Sequence, residues 1–122
     1  MNLIYIFIGG GLGSLARYGL GKFIHSHYAG LFPLATFTIN VLASFLVGLF
    51  LGWLSSRFPA AFSLKLFLAV GFCGGFSTFS TFSLESVELL KSGNYLPAFA
   101  YMFTSLLFCL LATFGGLALT KS

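Results

Sequence analysis

The sequence GGFSTFSTFS occupies residues 74–83, in the middle of a chain that is 58% hydrophobic and only 7% charged. Two glycines precede phenylalanines at every third position, and serine or threonine fills each gap. A glycine costs a helix about 1 kcal/mol relative to alanine, so the stretch predicts a helix break just before a second helical segment. Lipid-facing helix surface needs few hydroxyl groups. The dense hydroxyls therefore indicate a packed or water-lined segment.

The composition around this stretch places the chain in a membrane. Soluble domains carry about 25% charged residues, and one small core could not hide this much apolar surface. A membrane-spanning helix needs about 20 mostly apolar residues, and the sparse charges leave four neutral stretches of that length. We predict an all-α integral membrane protein, a single domain over residues 1–122, with four transmembrane helices and a break in the third. The predicted helices span about 3–24, 32–55, 63–91 and 96–119.

The basic residues give almost no orientation bias. Cytoplasmic flanks normally hold more Lys and Arg, but the two sides are here nearly equal: Arg57, Lys65 and Lys121 against Lys22, Lys91 and, if it snorkels, Arg17. This balance predicts insertion in both orientations and an antiparallel, dual-topology homodimer. The alternative is a single orientation that a factor other than these charges sets. Because the basic residues are spread singly, no nucleic-acid partner is expected.

A polar stripe runs along the second helix. Thr36, Asn40, Ser44, Gly48 and Gly52 are four residues apart and share a helix face. The Gly48-x-x-x-Gly52 part predicts close approach of another helix. An amide in a bilayer needs hydrogen-bond partners. Asn40 is therefore either an interhelical hydrogen-bond residue or a donor that faces a polar pathway.

The third helix carries rows of rings and hydroxyls. At 100° per residue, Phe79 and Phe82 are neighbours on one face. An aromatic ring has a positive edge, so ring edges and hydroxyl donors together suit a small, strongly hydrated anion. The alternative is plain packing, with the Ser and Thr hydroxyls bonded to backbone carbonyls one turn back.

The fourth helix places Tyr101, Ser105, Phe108, Ala112 and Gly115 on one predicted face. Tyr101 is either an interfacial belt residue or a pathway hydroxyl.

The remaining charges and the cysteines also have expected roles. Arg17 is either a snorkelling anchor or part of a basic vestibule, and Glu85 and Glu88 are expected to pair with Lys91 or Arg17. Both cysteines, Cys73 and Cys109, fall inside predicted spans, where reduced, apolar-packing thiols are expected.

Three sequence motifs carry a resemblance to a known family. They are residues 71–83 followed by Glu85, residues 9–13 followed by Arg17 and Tyr18, and residues 38–40. Together they resemble the signature of the Fluc (CrcB) fluoride channels, and the similarity covers essentially the whole chain.

The resemblance implies a function and a set of site residues. Members of this family are antiparallel homodimers in the bacterial inner membrane that export fluoride passively through two pores at the subunit interface. The resemblance places the pathway on Asn40, Phe79, Ser80, Thr81, Phe82, Ser83, Tyr101 and Ser105. It also implies a structural Na⁺ ion held by the backbone carbonyls of Gly74 and Ser77. The family often has threonine where Ser77 stands.

Other function classes fit the sequence less well. A small dual-topology multidrug or cation exporter needs an ionisable carboxylate deep in the membrane, whereas Glu85 and Glu88 lie near the end of a helix. An accessory subunit that only packs would leave the polar stripes without a purpose. An enzyme is not expected, because no nucleophile–base pair or metal cluster is visible.

Overall fold

The computed structural model describes residues 2–28, 30, 32–57 and 62–120, without the side chains of residues 55–57 and 62. All regular structure in these residues is helical. The helices are α1 (Asn2–His27), α2 (Leu34–Arg57), α3 (Phe62–Lys65), a π-helix (Leu66–Cys73), α4 (Gly74–Phe76), α5 (Phe79–Lys91) and α6 (Tyr95–Thr120).

The predicted all-helical chain with four membrane-capable helices is confirmed. Within the described ranges, four stretches are long and apolar enough to cross a membrane: Asn2–His27, Leu34–Leu54, Ser63–Lys91 and Tyr95–Thr120. The predicted ends differ from the observed helix ends by at most three residues. Of the basic residues in the charge balance, Lys121 and the side chain of Arg57 lie outside the described residues.

The third span, residues 62–91, is not one continuous α-helix. It passes from α3 through the eight-residue π-helix into α4, and Ser77 and Thr78 then adopt extended backbone conformations before α5 begins. Gly74 itself is helical, with φ −63° and ψ −39°. The residues with extended backbone therefore follow the two glycines and do not coincide with them.

The α1 helix packs against the π-helix through glycines. A Cβ atom on Gly9 would collide with the carbonyl oxygen of Phe67, and one on Gly13 with the carbonyl oxygen of Phe72. The missing side chains let the two backbones approach closely, as small residues do between membrane helices. This contact fixes the first half of the third span, just before the interruption.

The α2 helix packs along α6, also at glycines. A Cβ on Gly48 would collide with the carbonyl oxygen of Thr113, and one on Gly116 with that of Phe45. A Cβ on Gly52 would also meet α6. The close helix approach predicted from Gly48-x-x-x-Gly52 is therefore confirmed.

The predicted face of the fourth helix is partly wrong. Tyr101 and Ser105 are buried, but the buried glycine is Gly116 and not Gly115. At 100° per residue, Gly116 lies about 20° around the helix from Ser105, whereas Gly115 lies about 80° away on the other side. The face that meets α2 is therefore rotated from the predicted one.

The adjacent glycines provide a matched stability test. We expect Gly116→Ala to lower the free energy of unfolding by about 1–3 kcal/mol, the usual cost of overpacking. Gly115→Ala should be neutral or slightly stabilising, because its Cβ would meet no atom within 4 Å and alanine favours a helix. Unfolding of both variants in detergent, followed by circular dichroism, measures the difference. Equal stability of the two variants would contradict the described α2–α6 packing.

Candidate functional site

The side chain of Asn40 forms hydrogen bonds with the backbone where the third span is interrupted. Its Nδ2 donates to the Thr78 carbonyl oxygen at 3.1 Å, and the Thr78 N–H donates to its Oδ1 at 2.9 Å. These backbone groups need partners, because a membrane interior offers no water to replace helical bonds. The paired bonds, here called the Asn40 clamp, join α2 to the extended segment. One Nδ2 hydrogen remains for a further acceptor.

The hydroxyl of Thr78 caps the helix that follows. Its Oγ1 accepts from the Thr81 N–H at 3.3 Å, donates to Thr81 Oγ1 at 3.1 Å and lies 3.3 Å from Ser80 Oγ. Such a cap satisfies an N–H group that the first turn of a helix leaves unpaired. The hydroxyls of Ser80 and Thr81 therefore gather at the start of α5.

A cavity of about 490 Å³ opens beside the interruption, between α2, the third span and α6. Its lining offers amide, hydroxyl, sulfur, aromatic and aliphatic groups, and every lining residue is uncharged. The lining residues are Asn40, Ser44, Ser77, Thr78, Phe79, Phe82, Met102, Ser105, Leu106 and Cys109. An ion in this cavity would meet dipoles and ring edges rather than fixed charges.

Two aromatic rings stand in the cavity wall. The ring centroids of Phe79 and Phe82 are 5.5 Å apart with an interplanar angle of 40°, so the rings are neighbours, as their spacing predicts. Phe82 is also supported from behind by the Tyr101 ring, with centroids 5.0 Å apart. Phe79 is 76% exposed in the single chain. The Phe82 ring is therefore packed against the protein, whereas the Phe79 ring is largely exposed.

Tyr101 is fully buried, at 0% exposure. Its hydroxyl donates to Glu85 Oε1 at 3.0 Å. This position excludes the interfacial-belt alternative for Tyr101. The expected pairing of Glu85 with Lys91 or Arg17 is also wrong, because the Glu85 carboxylate on α5 accepts a hydrogen bond from the Tyr101 hydroxyl on α6.

Arg17 reaches the third span from α1. Its Nε donates to the Gly75 carbonyl oxygen at 3.2 Å, and the residue is half-buried. Arg17 is not among the residues that line the cavity. Its guanidinium therefore braces the backbone beside the interruption.

Ser105 has an unusual hydroxyl. The residue is 5% exposed and lines the cavity, and its Oγ has no hydrogen-bond partner among the described residues. Buried polar groups nearly always have partners. Among the described residues, the Ser105 Oγ is the one buried side-chain oxygen or nitrogen atom without such a partner.

Four of the eight predicted pathway residues line the cavity, and so does Ser77, a predicted sodium ligand. Asn40, Phe79, Phe82 and Ser105 line it, whereas Ser80, Thr81, Ser83 and Tyr101 do not. Ser83 is half-buried further along α5.

The prediction did not include five of the lining residues: Ser44, Thr78, Met102, Leu106 and Cys109. For two of them the sequence contained a usable signal. Ser44 follows Asn40 by four residues and Cys109 follows Ser105 by four, so each lies on the same helix face as its predicted neighbour.

The backbone carbonyls of Gly74 and Ser77, beside the interruption, are among those that lose their helical donors. In a continuous α-helix the N–H of residue i donates to the carbonyl of residue i−4, which pairs Thr78 with Gly74 and Thr81 with Ser77. Here the Thr78 N–H binds Asn40 Oδ1 and the Thr81 N–H binds Thr78 Oγ1. Carbonyl oxygens are suitable ligands for a hard cation. Within the described part of the chain, no group of three or more His, Cys, Asp or Glu side chains is arranged to hold a metal ion.

Comparison with known proteins agrees with this architecture. The family model described as "CrcB-like protein, Camphor Resistance (CrcB)" matches residues 4–117, which is nearly the whole chain. The chain belongs to the CrcB family. Its α1 glycines, the Asn40 clamp and the interrupted third span all lie within the matched part.

CrcB relatives with curated names are similar over nearly their full length. A protein of Gloeothece citriformis is 42% identical over 121 residues, which cover 99% of this chain and 98% of the relative. A protein of Flavobacterium psychrophilum is 43% identical, with 98% and 97% covered. One of Bacteroides fragilis is 46% identical, with 94% and 92% covered. Each of these relatives is named "Fluoride-specific ion channel FluC".

Proposed function

We propose that this chain is a passive, fluoride-selective ion channel of a bacterial cell membrane, which exports cytoplasmic fluoride and so relieves its toxicity. The observation that carries the proposal is the uncharged cavity onto which Asn40, the ring pair of Phe79 and Phe82, and Ser105 converge. The names of the CrcB relatives support the choice of ion.

The lining of the cavity suits a small, hard anion. Fluoride holds its hydration water strongly, so a pathway must replace those contacts. The free Nδ2 hydrogen of Asn40, the Ser105 hydroxyl and the positive ring edges supply partial positive charge. A lysine or arginine at this place would bind the ion too tightly for rapid release, because conduction needs binding that is favourable but weak.

We propose that Ser80, Thr81, Ser83 and Tyr101 extend the pathway beyond the cavity. The hydroxyls of Ser80 and Thr81 lie at the start of α5, next to the cavity-lining residue Thr78. Tyr101 lies directly behind the Phe82 ring. Arg17, which braces the backbone nearby, would supply positive potential at the entrance and attract anions.

A second copy of the chain would complete the pathway. One protomer leaves Phe79, Ser80 and Gly74 exposed on the third span, and four helices enclose a pathway poorly. The nearly balanced basic residues support insertion in both orientations. We therefore infer an antiparallel homodimer with two pores at its interface.

The dimer has a direct test. Light scattering of the purified protein in detergent should give the mass of two chains. A terminal tag should be accessible on both faces of the membrane in cells. A monomer that conducts fluoride, or a tag found on one face only, would contradict the dual-topology dimer.

The freed carbonyls of Gly74 and Ser77 fit the implied structural Na⁺ ion. Their helical donors bind other acceptors, and Gly74 is exposed with open space beside it. When bound, the ion would supply a positive charge that neutralises the converging carbonyl dipoles. In the antiparallel dimer, the equivalent carbonyls of both copies would share the ion at the two-fold axis.

Removal of sodium tests this assignment. A ligand that binds only the folded protein raises its stability with concentration. We therefore expect the unfolding midpoint in detergent to rise with added Na⁺ and to stay unchanged with N-methyl-D-glucamine at equal ionic strength. Identical midpoints in both series would exclude a stabilising sodium site.

Fluoride efflux from liposomes tests the function itself. Vesicles that contain the purified chain and are loaded with potassium fluoride should release fluoride rapidly when valinomycin is added, as followed with a fluoride electrode. Vesicles loaded with chloride should stay tight in the same assay. Fluoride-tight vesicles, or equally rapid chloride release, would refute the proposed selective channel.

A further inference from the structure

The buried Tyr101 ring contacts two other aromatic rings. Its centroid lies 5.0 Å from that of Phe82, which lines the cavity. It lies 5.4 Å from that of Phe32, a residue just before α2. The contact with Phe32 is edge-to-face, with an interplanar angle of 86°, which is a preferred geometry for aromatic pairs. Tyr101 therefore connects Phe32 to the cavity wall.

The start of α2 determines where the Phe32 ring lies. The Phe37 N–H donates to the Pro33 carbonyl oxygen at 3.1 Å, which makes Pro33 the N-cap residue of α2. Phe32 and Phe37 then occupy the two positions of a hydrophobic staple, in which the residue before the N-cap packs on the fourth residue of the helix. Their ring centroids are 5.5 Å apart at an interplanar angle of 71°. The staple therefore fixes the Phe32 ring where it meets Tyr101.

The Phe32 ring also separates Tyr101 from another cavity, of about 330 Å³. Phe32 lines this cavity, whereas Tyr101 does not line it and is 0% exposed. The hydrogen bond to Glu85 holds only the hydroxyl end of the phenol. A smaller side chain at position 32 would leave empty space beside the Tyr101 ring, and neighbouring side chains partly relax into such space. The Tyr101 ring would then no longer be held against Phe82.

We propose that Phe32 is a positioning residue for fluoride conduction, which acts through Tyr101 and keeps the positive edge of the Phe82 ring toward the ion. This inference rests on the proposed function, because it needs the Phe82 ring to meet the conducted ion. The orientation of that ring matters, since its edge attracts an anion and its face repels one. Phe32 does not line the fluoride cavity itself, so its effect on flux passes through the two rings.

Fluoride efflux from liposomes tests the effect on conduction. Phe32→Leu should slow efflux by about fivefold, because it removes one edge-to-face ring contact. Phe32→Tyr keeps the ring and should keep the wild-type rate. Phe103→Leu changes a phenylalanine that is 71% exposed and lines neither cavity, and it should also match the wild type. Wild-type efflux in Phe32→Leu would overturn the proposal.

A double variant distinguishes positioning from a general loss of stability. Phe82→Ile already lacks the ring edge, so adding Phe32→Leu to it should slow efflux no further. Residues that act through one another show such non-additivity, whereas independent effects multiply in the rate. A further loss of about fivefold in the Phe82→Ile background would show that Phe32 acts on the fold in general, and it would overturn the positioning role.

Fluorine NMR tests the ring position without any flux measurement. With 4-fluorophenylalanine incorporated at position 82, the purified protein in detergent should give a single narrow resonance, and so should its Phe32→Tyr variant. Phe32→Leu should broaden this resonance or add a second one, because the ring then occupies more than one position. A single narrow resonance in Phe32→Leu would overturn the proposal. If wild-type vesicles release no fluoride, the proposed function fails, and the resonance still decides whether Phe32 positions the Phe82 ring.

Discussion

Asn40→Asp is expected to slow fluoride efflux by about a thousandfold. The substitution keeps the shape of the side chain but removes the Nδ2 donor to the Thr78 carbonyl oxygen. It also places a carboxylate in the wall of the cavity. Two like unit charges 4 Å apart repel by about 4 kcal/mol at an effective dielectric constant of 20. A barrier raised by that amount corresponds to about a thousandfold in rate.

Two further variants separate charge from structure. Asn94→Asp makes the same chemical change in the turn between α5 and α6, where the amide donates to Ser92, and should conduct normally. Asn40→Ala adds no charge but orphans two backbone groups of Thr78, at a cost of about 1–3 kcal/mol each. It should therefore lower both stability and flux. If Asn40→Asp released fluoride as fast as Asn94→Asp does, Asn40 would not be part of the pathway.

Phe79→Ile is expected to reduce fluoride efflux by about thirtyfold. The ring quadrupole attracts a desolvated cation at the ring face by about 2 kcal/mol, and we assume the same magnitude for an anion at the positive ring edge. Isoleucine fills much of the same space without a positive edge. Because Phe79 is largely exposed in one chain and packs mainly on the Phe82 ring, the fold of the protomer should survive. Fluoride-electrode traces from liposomes measure the rate, and circular dichroism checks the fold.

A comparably exposed phenylalanine supplies the control. Phe103 on α6 does not line the cavity, so Phe103→Ile should conduct like the wild type. Phe82→Ile should reduce efflux as Phe79→Ile does. It should also cost about 0.5–1.5 kcal/mol of stability, since Phe82 packs on Tyr101. Wild-type rates in both cavity variants would contradict the role of the ring edges.

The architecture followed from the sequence because the bilayer leaves few alternatives. Long neutral stretches between sparse charges fix four spans, and the backbone groups in them must find hydrogen-bond partners inside the protein, mostly within helices. The glycine spacing in α2 likewise predicted the close approach of another helix, which in the structure is α6. The rotation of α6 was harder to predict, since Gly115 and Gly116 are adjacent and only packing against Phe45 selects one of them.

The site was less predictable, because hydroxyls in a membrane helix have several uses. The spacing of Phe79 and Phe82 in the sequence was enough to predict that their rings are neighbours. The extended backbone at Ser77 and Thr78 depends on Asn40, 38 residues earlier in the chain, and a local pattern cannot show such a partner. The pairing of Glu85 with Tyr101 was missed for the same reason. It joins two helices whose relative rotation is set by the whole bundle.

We propose that neutral dipoles let fluoride alone cross the membrane passively. The reversal potential of a planar bilayer that contains the purified chain, under opposed fluoride and chloride gradients, tests it most directly. We expect a current that reverses at the fluoride equilibrium potential and whose reversal potential does not shift with a pH gradient. A reversal potential that follows chloride, or a flux driven by the pH gradient as in a proton-coupled exporter, would contradict it.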